Sequence, residues 1–178
     1  MRVITLILSA LIFFTCIKCY SEEYLYILND SCINDLTESA QNYFKNRDIN
    51  VIRDSRGIIL RFKLTSPTEE YEKFSSDTYN KILYTEQFLA KIKNPVIIEV
   101  HTEKFSDCKF FKRKNWEIST VIANRIEALM LKNEGLVLRN RINSVGYGEF
   151  LPSKNTPYNG GNYPSRVDII ILCSISGE

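Results

Sequence analysis

The strongest constraint on the fold is an ordered series of segments between Val96 and Ile171. An apolar run (VIIEV) ends in a polar tip (HTE), a segment with helical periodicity follows (NWEISTVIANRIEALM), and a Gly-Tyr-Gly turn precedes a last apolar run (VDIII). Short runs rich in β-branched residues are typical of strands buried in a sheet. The series therefore predicts strands packed against a helix, with the polar tip at the end of one strand.

The segment after Asn115 has the clearest helical periodicity in the chain. Asn115 is a suitable N-cap, and Gly135 is a suitable C-terminal stop after Lys132. Apolar residues recur every three or four positions and form one stripe, made of Ile118, Val121, Ile122, Ile126, Leu129 and Met130. We therefore expect an amphipathic helix that ends before Gly135 and buries this stripe.

Two more helices and a hairpin are predicted upstream. Helical spacing of apolar residues predicts a helix over residues 31–44, and β-branched runs on both sides of the turn 54–57 predict a hairpin. Asp77 can cap a further helix that ends at Asn94-Pro95. Its buried face is expected to carry Tyr79, Ile82, Leu83, Leu89 and Ala90.

The order of these elements predicts the fold class. Strand, helix, strand, helix and strand alternate over residues 57–145, which is typical of right-handed crossovers between parallel neighbours. The last strand is expected to pair antiparallel with one of them. We therefore predict an α+β fold, a mixed βαβαββ sheet with helices on one face.

The N-terminal segment is predicted to be a signal peptide over residues 1–20. Residues 3–17 are almost purely apolar and lie between Arg2 and Lys18, and this run is short for a membrane span. An uncleaved N-terminal anchor remains the alternative. After cleavage we expect a connector, helix and strand over residues 21–56 and the main domain over residues 57–178.

Charge excludes one class of partner. The 178-residue chain has a formal net charge of +2, and loss of Arg2 and Lys18 with the leader brings it to about zero. A near-neutral domain lacks the basic surface of a nucleic-acid-binding protein. We therefore expect no nucleic-acid partner.

The cysteines bear on two points, attachment to a membrane through a lipid and the formation of disulfides. Cys16 lies where a bacterial lipoprotein carries its acylated cysteine, and lipidation there or plain cleavage both remain open. Of the other cysteines, we expect Cys173 to be a buried free thiol in the last strand and Cys32 with Cys108 to be the pair to test. No cysteine spacing is typical of a zinc site, and we expect no metal.

The segments quoted above resemble the OmpA-like C-terminal domain, which holds peptidoglycan in envelope proteins. The resemblance covers about residues 58–171 and includes His101-Thr102 and the turn Gly146-Tyr147-Gly148-Glu149. In the helix between them, the residues that match the family pattern are Asn115, Ile118, Ser119, Ala123, Ile126 and Met130. It implies a ligand site for the diaminopimelate of the peptide stem. Positions that match the site are Thr102, Glu103, Asn115, Ser119, Ile122, Ser165 and Arg166.

Three of these positions depart from the family pattern. Glu103 replaces the aspartate that binds the ligand's ammonium group, so the carboxylate is one methylene further from the backbone. Ile122 replaces the arginine that clamps the ligand's carboxylate, a contact that an alkyl side chain cannot make. Ser165 replaces an arginine that borders the ligand. The resemblance therefore implies the fold together with a degenerate peptidoglycan site.

Other polar residues near these positions have ordinary explanations. Arg125, one turn beyond Ile122, is expected to be solvated, and His101 is expected to be structural, donating a hydrogen bond across its loop. Basic and aromatic residues over 109–114 and the tyrosines over 158–163 suit either contact surfaces or ordinary loops. No nucleophile pattern, phosphate-binding loop or cofactor motif is present, so we expect no enzyme and no cofactor.

These observations favour a non-catalytic envelope protein in the periplasm, associated with the outer membrane. The expected partners are protein subunits of an envelope-spanning assembly such as a type IV secretion system, with peptidoglycan binding weak or lost. Attachment to the outer membrane through a lipid on Cys16 stays open beside plain cleavage. The layout of leader, connector and single domain is similar to the small OmpA-like lipoproteins of Dot/Icm type IVB systems. The alternative is a working outer-membrane anchor that recognises diaminopimelate through Glu103, Asn115 and Arg166.

Overall fold

The computed structural model describes residues 30–64, 74–102, 115–150 and 165–173, with the backbone alone at 133–137. Within these ranges the helices are α1 (Asp30–Phe44), α2 (Ser76–Leu89) and α3 (Asn115–Leu138). The strands are β1 (Asn50–Asp54), β2 (Gly57–Lys63), β3 (Val96–His101), β4 (Ile142–Gly148) and β5 (Arg166–Leu172). From β2 onward the order is βαβαββ, so the predicted fold class is confirmed.

The strands form one mixed sheet in the order β1-β2-β5-β3-β4. β3 and β4 pair in parallel, whereas β5 pairs antiparallel with both β2 and β3. The expectation that β2 and β3 are neighbours was therefore wrong, because β5 lies between them. The chain's last described strand occupies the centre of the sheet.

The core lies between the three helices and one face of the sheet. Alternate residues of the central strands point into it, for example Ile98 of β3 and Ile169 of β5, both with no exposed surface. Each such side chain stabilises the fold by about 1.5–3 kcal/mol through removal of apolar area from water. The helices contribute Ile33, Leu36, Ala40, Phe44, Ile82, Phe88, Leu89, Ile118, Ile122, Ala123, Ile126, Met130 and Leu138.

Two helix predictions needed correction. α2 is capped by Ser75, whose hydroxyl accepts a hydrogen bond from the N–H of Thr78, and Tyr79 is 40% exposed and does not face the core. α3 does not stop before Gly135 but continues to Leu138, which is fully buried. Burial of one leucine outweighs the cost of about 1 kcal/mol for a glycine inside a helix.

The cysteine pairing also differed from expectation. Cys32 of α1 forms a disulfide with Cys173, just beyond β5, with the two Cα atoms 5.9 Å apart. Cys173 is therefore no free thiol, and Cys108 lies outside the described residues. Asn94 contacts both segments, because its side-chain amide donates a hydrogen bond to the carbonyl of Leu172 at 2.9 Å and one to Sγ of Cys32 at 3.6 Å.

None of the described helices combines the length and apolarity needed to cross a bilayer.

Candidate functional site

Several of the predicted site residues lie at one end of the sheet. His101, the last residue of β3, is paired with Arg166, the first residue of β5, because these strands are antiparallel. Thr102 therefore follows β3 at the same end at which Ser165 precedes β5. Glu103 and Cys16, also predicted as functional residues, lie outside the described residues.

Hydrogen bonds around Gly148 connect three elements at this end. The N–H of Thr102 donates to the carbonyl of Gly148 at 3.0 Å, and the N–H of Gly148 donates to the hydroxyl of Ser119 at 2.8 Å. That hydroxyl in turn donates to the carbonyl of Trp116 at 2.9 Å. Ser119 therefore fastens α3 to β4, a structural task that uses both hydrogen-bonding capacities of its hydroxyl.

A glycine is required at the centre of this network. Gly148 has φ +57°, and a Cβ on it would lie 2.9 Å from the backbone nitrogen of Trp116. Both observations exclude a larger side chain without local movement. The glycine at position 148 of the turn Gly146-Tyr147-Gly148-Glu149 is thus explained by the close approach of β4 to the start of α3.

The start of α3 is held by a further contact. The side-chain amide of Asn115 donates a hydrogen bond to Oε2 of Glu149 at 3.1 Å. Thr102 lies nearby through its bond to Gly148, and its hydroxyl, although buried, has no hydrogen-bond partner within the described part of the chain. The structure thus brings Thr102, Asn115 and Ser119 together around the glycine turn.

Ile122 and Ser165 are both buried. Ile122 is 2% exposed and belongs to the hydrophobic core between the helices and the sheet. Ser165 is 4% exposed, and its carbonyl accepts a hydrogen bond from the N–H of Leu64 at 2.9 Å. Both positions, which carry arginines in OmpA-like domains, are therefore buried in this chain.

Arg166 points into an ionic cluster on the sheet face opposite the helices. Its Nε donates to Oδ2 of Asp168 at 3.1 Å, and the residue is 8% exposed. Burial lowers the pKa of the Arg166 guanidinium, and the neighbouring Asp168 carboxylate acts in the opposite direction. This arginine is committed to a carboxylate of its own strand.

We define the ionic cluster as Arg56, Arg61, Glu99, His101, Arg166 and Asp168. Arg61 binds Asp168 with two hydrogen bonds of 2.6 and 2.8 Å, and Arg56 donates to Glu99 at 3.0 Å. Burial tends to lower the pKa of Arg56, but hydrogen bonds to Asp54 and Glu99 raise it overall. The two-pronged pairing of Arg61 with Asp168 is the strong form of a guanidinium–carboxylate contact.

His101 lies inside the ionic cluster between two carboxylates. Its Nε2 is 3.7 Å from Oε2 of Glu99 and 3.6 Å from Oδ2 of Asp168. The ring stacks on Tyr147, with centroids 5.3 Å apart and an angle of 13° between the planes. Burial raises the pKa of Tyr147, and the charge of Glu99 adds to this effect.

The expected hydrogen bond from His101 across its loop involves residues 103–114, which lie outside the described residues. His101 is 4% exposed, and among the described residues neither ring nitrogen has a hydrogen-bond partner. Sequence reasoning treated His101 alone and missed the ionic cluster. A signal was available, because Glu99 and His101 alternate with apolar residues of β3, as Arg166 and Asp168 do in β5.

Comparisons with known proteins place the fold. No family model matches the sequence, and no curated protein matches it. Among solved structures, an outer membrane protein from Borrelia burgdorferi B31 is similar, with 26% identity, coverage of 71% of this chain and 99% of that one, and a TM-score of 0.52. More distant solved structures share the fold as well.

Two of these share the fold at lower identity. A MotB-like protein from Desulfovibrio vulgaris is 16% identical with a TM-score of 0.65, covering 83% of this chain and 96% of that one. The cell wall anchor of the T6SS from Pseudomonas aeruginosa is 13% identical with a TM-score of 0.58, covering 74% and 96%. At these identities the likeness concerns the fold alone.

Proposed function

We propose that this chain is a non-catalytic structural protein of the bacterial cell envelope, whose OmpA-like domain has a degenerate peptidoglycan site. The similar solved structures support the envelope assignment, since one is an outer membrane protein and another is a cell wall anchor. The domain then acts as a scaffold that contacts other envelope proteins.

The burial of Ile122 is the main support for the proposed loss of peptidoglycan binding. Ile122, at the position of the arginine that clamps the ligand's carboxylate in OmpA-like domains, is 2% exposed in the hydrophobic core. A charged side chain in that environment would be strongly unfavourable without a partner. The position therefore contributes to folding energy and offers no contact to a ligand.

Two further positions support the same conclusion. Ser165, where OmpA-like domains have a second arginine, is buried, and Arg166 is occupied by Asp168. Ile122 and Ser165 thus have no guanidinium group to bind a ligand's carboxylate, and the guanidinium of Arg166 binds Asp168 instead. Glu103, the remaining ionic contact, has a longer side chain than the aspartate of the family.

The proposed setting is the periplasmic side of the outer membrane. A leader over residues 1–20 would direct export, and a lipid on Cys16 would attach the protein to the membrane. We place it in an envelope-spanning assembly such as a type IVB secretion system, where protein subunits replace peptidoglycan as the main partners.

Co-sedimentation with purified peptidoglycan sacculi tests the proposal. The wild-type protein is expected to stay in the supernatant, whereas an OmpA-like domain with the intact aspartate and both arginines is expected to pellet. Pelleting of the wild type that is lost in Glu103→Ala would overturn the degenerate site and identify a working anchor. Release of soluble wall fragments would instead reveal an enzyme.

The working anchor is retained as a second function because of Thr102. Its buried hydroxyl has no hydrogen-bond partner in the described ranges, beside a start of α3 where Asn115 is only partly buried. A ligand group could satisfy that hydroxyl. Pelleting that is reduced in both Thr102→Val and Asn115→Ala would favour this function.

Membrane attachment is tested separately. Metabolic labelling with a fatty acid is expected to mark the wild type and not Cys16→Ser. An unlabelled wild type would remove the lipid anchor from the proposal and leave the envelope role intact.

A further inference from the structure

A cationic surface with aromatic side chains lies where the end of α1 meets α2. It consists of Tyr43, Arg47, Tyr84, Gln87 and Lys91, which we call the aromatic–basic patch. We propose that this patch binds the carboxylate groups of an acidic segment in a partner protein. The inference deepens the proposed function and rests on it for the nature of the partner, a protein subunit.

Arg47 is held in one orientation by two tyrosine rings. Its Cζ lies 4.2 Å from the ring centroid of Tyr43 and 4.9 Å from that of Tyr84. Its Nη1 donates a hydrogen bond to the carbonyl of Tyr43, and within the described ranges no acceptor is found for the edge that carries Nε and Nη2. Such an edge matches the two oxygens of a carboxylate. Because the guanidinium is already oriented, it loses little freedom on binding.

Lys91 adds a second cation to the same tyrosine. Its Nζ lies 4.8 Å from the ring centroid of Tyr43, so the two cationic groups are separated by no more than the sum of their distances from that ring. In the part of the chain that the structure describes, neither forms an ion pair with a carboxylate, whereas Lys81 binds two. Like charges this close repel one another, and a bound carboxylate offsets that repulsion. The patch is therefore complementary in charge to an acidic partner.

The tyrosine that carries both cations is anchored in the core. The Tyr43 ring packs edge-on against Phe44 with centroids 4.9 Å apart and lies 5.3 Å from Phe88, and both phenylalanines are buried. Its hydroxyl donates a hydrogen bond to Oε1 of Gln87 at 3.3 Å. These contacts preorganise the patch, which distinguishes it from a run of freely solvated charges.

The exposed side chains favour a protein over a membrane as the partner. Tyr84, Gln87 and Lys91 are all exposed, and tyrosine and arginine are enriched in protein interfaces. A membrane-binding surface also needs apolar side chains that enter the lipid. Among the described residues, the exposed aromatic side chains without a hydroxyl are Trp116 and Phe150, which lie at the start of α3 and just beyond β4.

The aromatic–basic patch lies away from the degenerate peptidoglycan site. Lys91 precedes β3, whereas Thr102 directly follows the last residue of that strand. β3 has six residues, which correspond to about 20 Å. A protein bound at the patch therefore leaves the glycine turn at the other end of the sheet accessible.

Fluorescence anisotropy with a labelled oligoglutamate peptide tests the proposal on the full chain at low ionic strength. We expect saturable binding that an oligoglutamine peptide does not show. Arg47→Gln should weaken it about threefold to tenfold, and Arg47→Lys nearly as much, because lysine keeps the charge but lacks the planar fork. Lys91→Gln should weaken it about twofold to fivefold. Lys132→Gln removes an exposed charge from α3 and is the matched control, with binding equal to that of the wild type.

Each outcome decides the proposal. No saturable binding, or equal weakening in Lys132→Gln, would overturn it, because the peptide would then respond only to net charge. If Arg47→Gln fails to fold, as judged by circular dichroism, the exposed Lys91→Gln decides, and unchanged binding in it is equally fatal. Binding to phosphatidylglycerol vesicles that Arg47→Gln abolishes, without binding of the peptide, would assign the patch to lipid phosphates and overturn the protein partner. Pelleting with sacculi overturns only the degenerate peptidoglycan site and leaves the peptide result standing.

Discussion

Cys32 on α1 is bonded to Cys173 beyond β5, across 141 positions of sequence. The bond fixes the helix that precedes the sheet to the strand at its centre. Because the covalent loop includes nearly the whole described fold, it restricts the unfolded chain strongly.

Loss of this disulfide is expected to destabilise the protein. Cys32→Ser or Cys173→Ser should lower the free energy of unfolding by about 2–4 kcal/mol. The measurement is urea unfolding of each variant and of the wild type, with and without dithiothreitol. Cys108→Ser is the matched control and should keep both the wild-type midpoint and its response to the reductant. A Cys108→Ser protein that ignores the reductant would contradict the pairing.

The bond between Ser119 and Gly148 makes a second prediction. Ser119→Ala leaves the buried N–H of Gly148 without its acceptor and should cost about 1–3 kcal/mol of stability. Thr120→Ala is the control, since its hydroxyl also donates to the carbonyl of Trp116 but is more exposed. Its cost should stay below about 0.5 kcal/mol. Equal effects of the two variants in thermal unfolding would show that Ser119 has no special role.

Ile122, at the position of the carboxylate-binding arginine of OmpA-like domains, allows burial there to be tested by substitution. Ile122→Val should cost about 0.5–1.5 kcal/mol, as expected for one methylene removed from a packed core. Ile122→Arg should be far more damaging because it buries an unpaired charge. The exposed neighbour Asn124→Arg should be tolerated. Wild-type stability of Ile122→Arg in urea would mean that the position opens to solvent.

Lys81 predicts a loss of stability in alkaline solution. Burial tends to lower its pKa, but hydrogen bonds to Asp48 and Asp77 raise it overall, so the folded protein holds this proton more tightly than the unfolded chain. The contribution is complete below the ordinary lysine pKa of about 10.4 and is lost as the pH rises through the folded value. The free energy of unfolding, measured from pH 8 to 11, should therefore fall more steeply with rising pH for the wild type than for Lys81→Met.

The exposed Lys91 supplies the control for that experiment. Lys91→Met should follow the wild-type profile, because this side chain lies at the surface over the ring of Tyr43. Parallel pH profiles for the wild type and Lys81→Met would show that the Lys81 pairs add nothing.

Local patterns predicted most of the elements. The apolar periodicity of α1 and α3, the hairpin of β1 and β2, and the βαβαββ order all follow from spacing that neighbouring residues determine. The burial of Ile122 was also predicted, because it shares a helical stripe with Ile118 and Ile126. The prediction that α3 ends before Gly135 was wrong because the helix continues far enough to bury Leu138, which is an effect of tertiary packing.

Contacts between distant segments were not predictable in the same way. The place of β5 between β2 and β3, and the pairing of Cys32 with Cys173, depend on which segments meet after folding. The same holds for Asp168, which meets His101 only because β3 and β5 are neighbours. Period-two alternation shows which face a charged residue occupies but not what lies opposite it.

The central position of β5 separates the order of folding from the order of synthesis. β2 and β3 have no hydrogen bonds to one another, so neither can complete its pairing until residues 166–172 arrive. A chain that is synthesised from its N-terminus onward therefore has an unfinished sheet until residues 166–172 have been made. The central pairing of β5 with β2 and β3, which joins the two halves of the sheet, thus forms last.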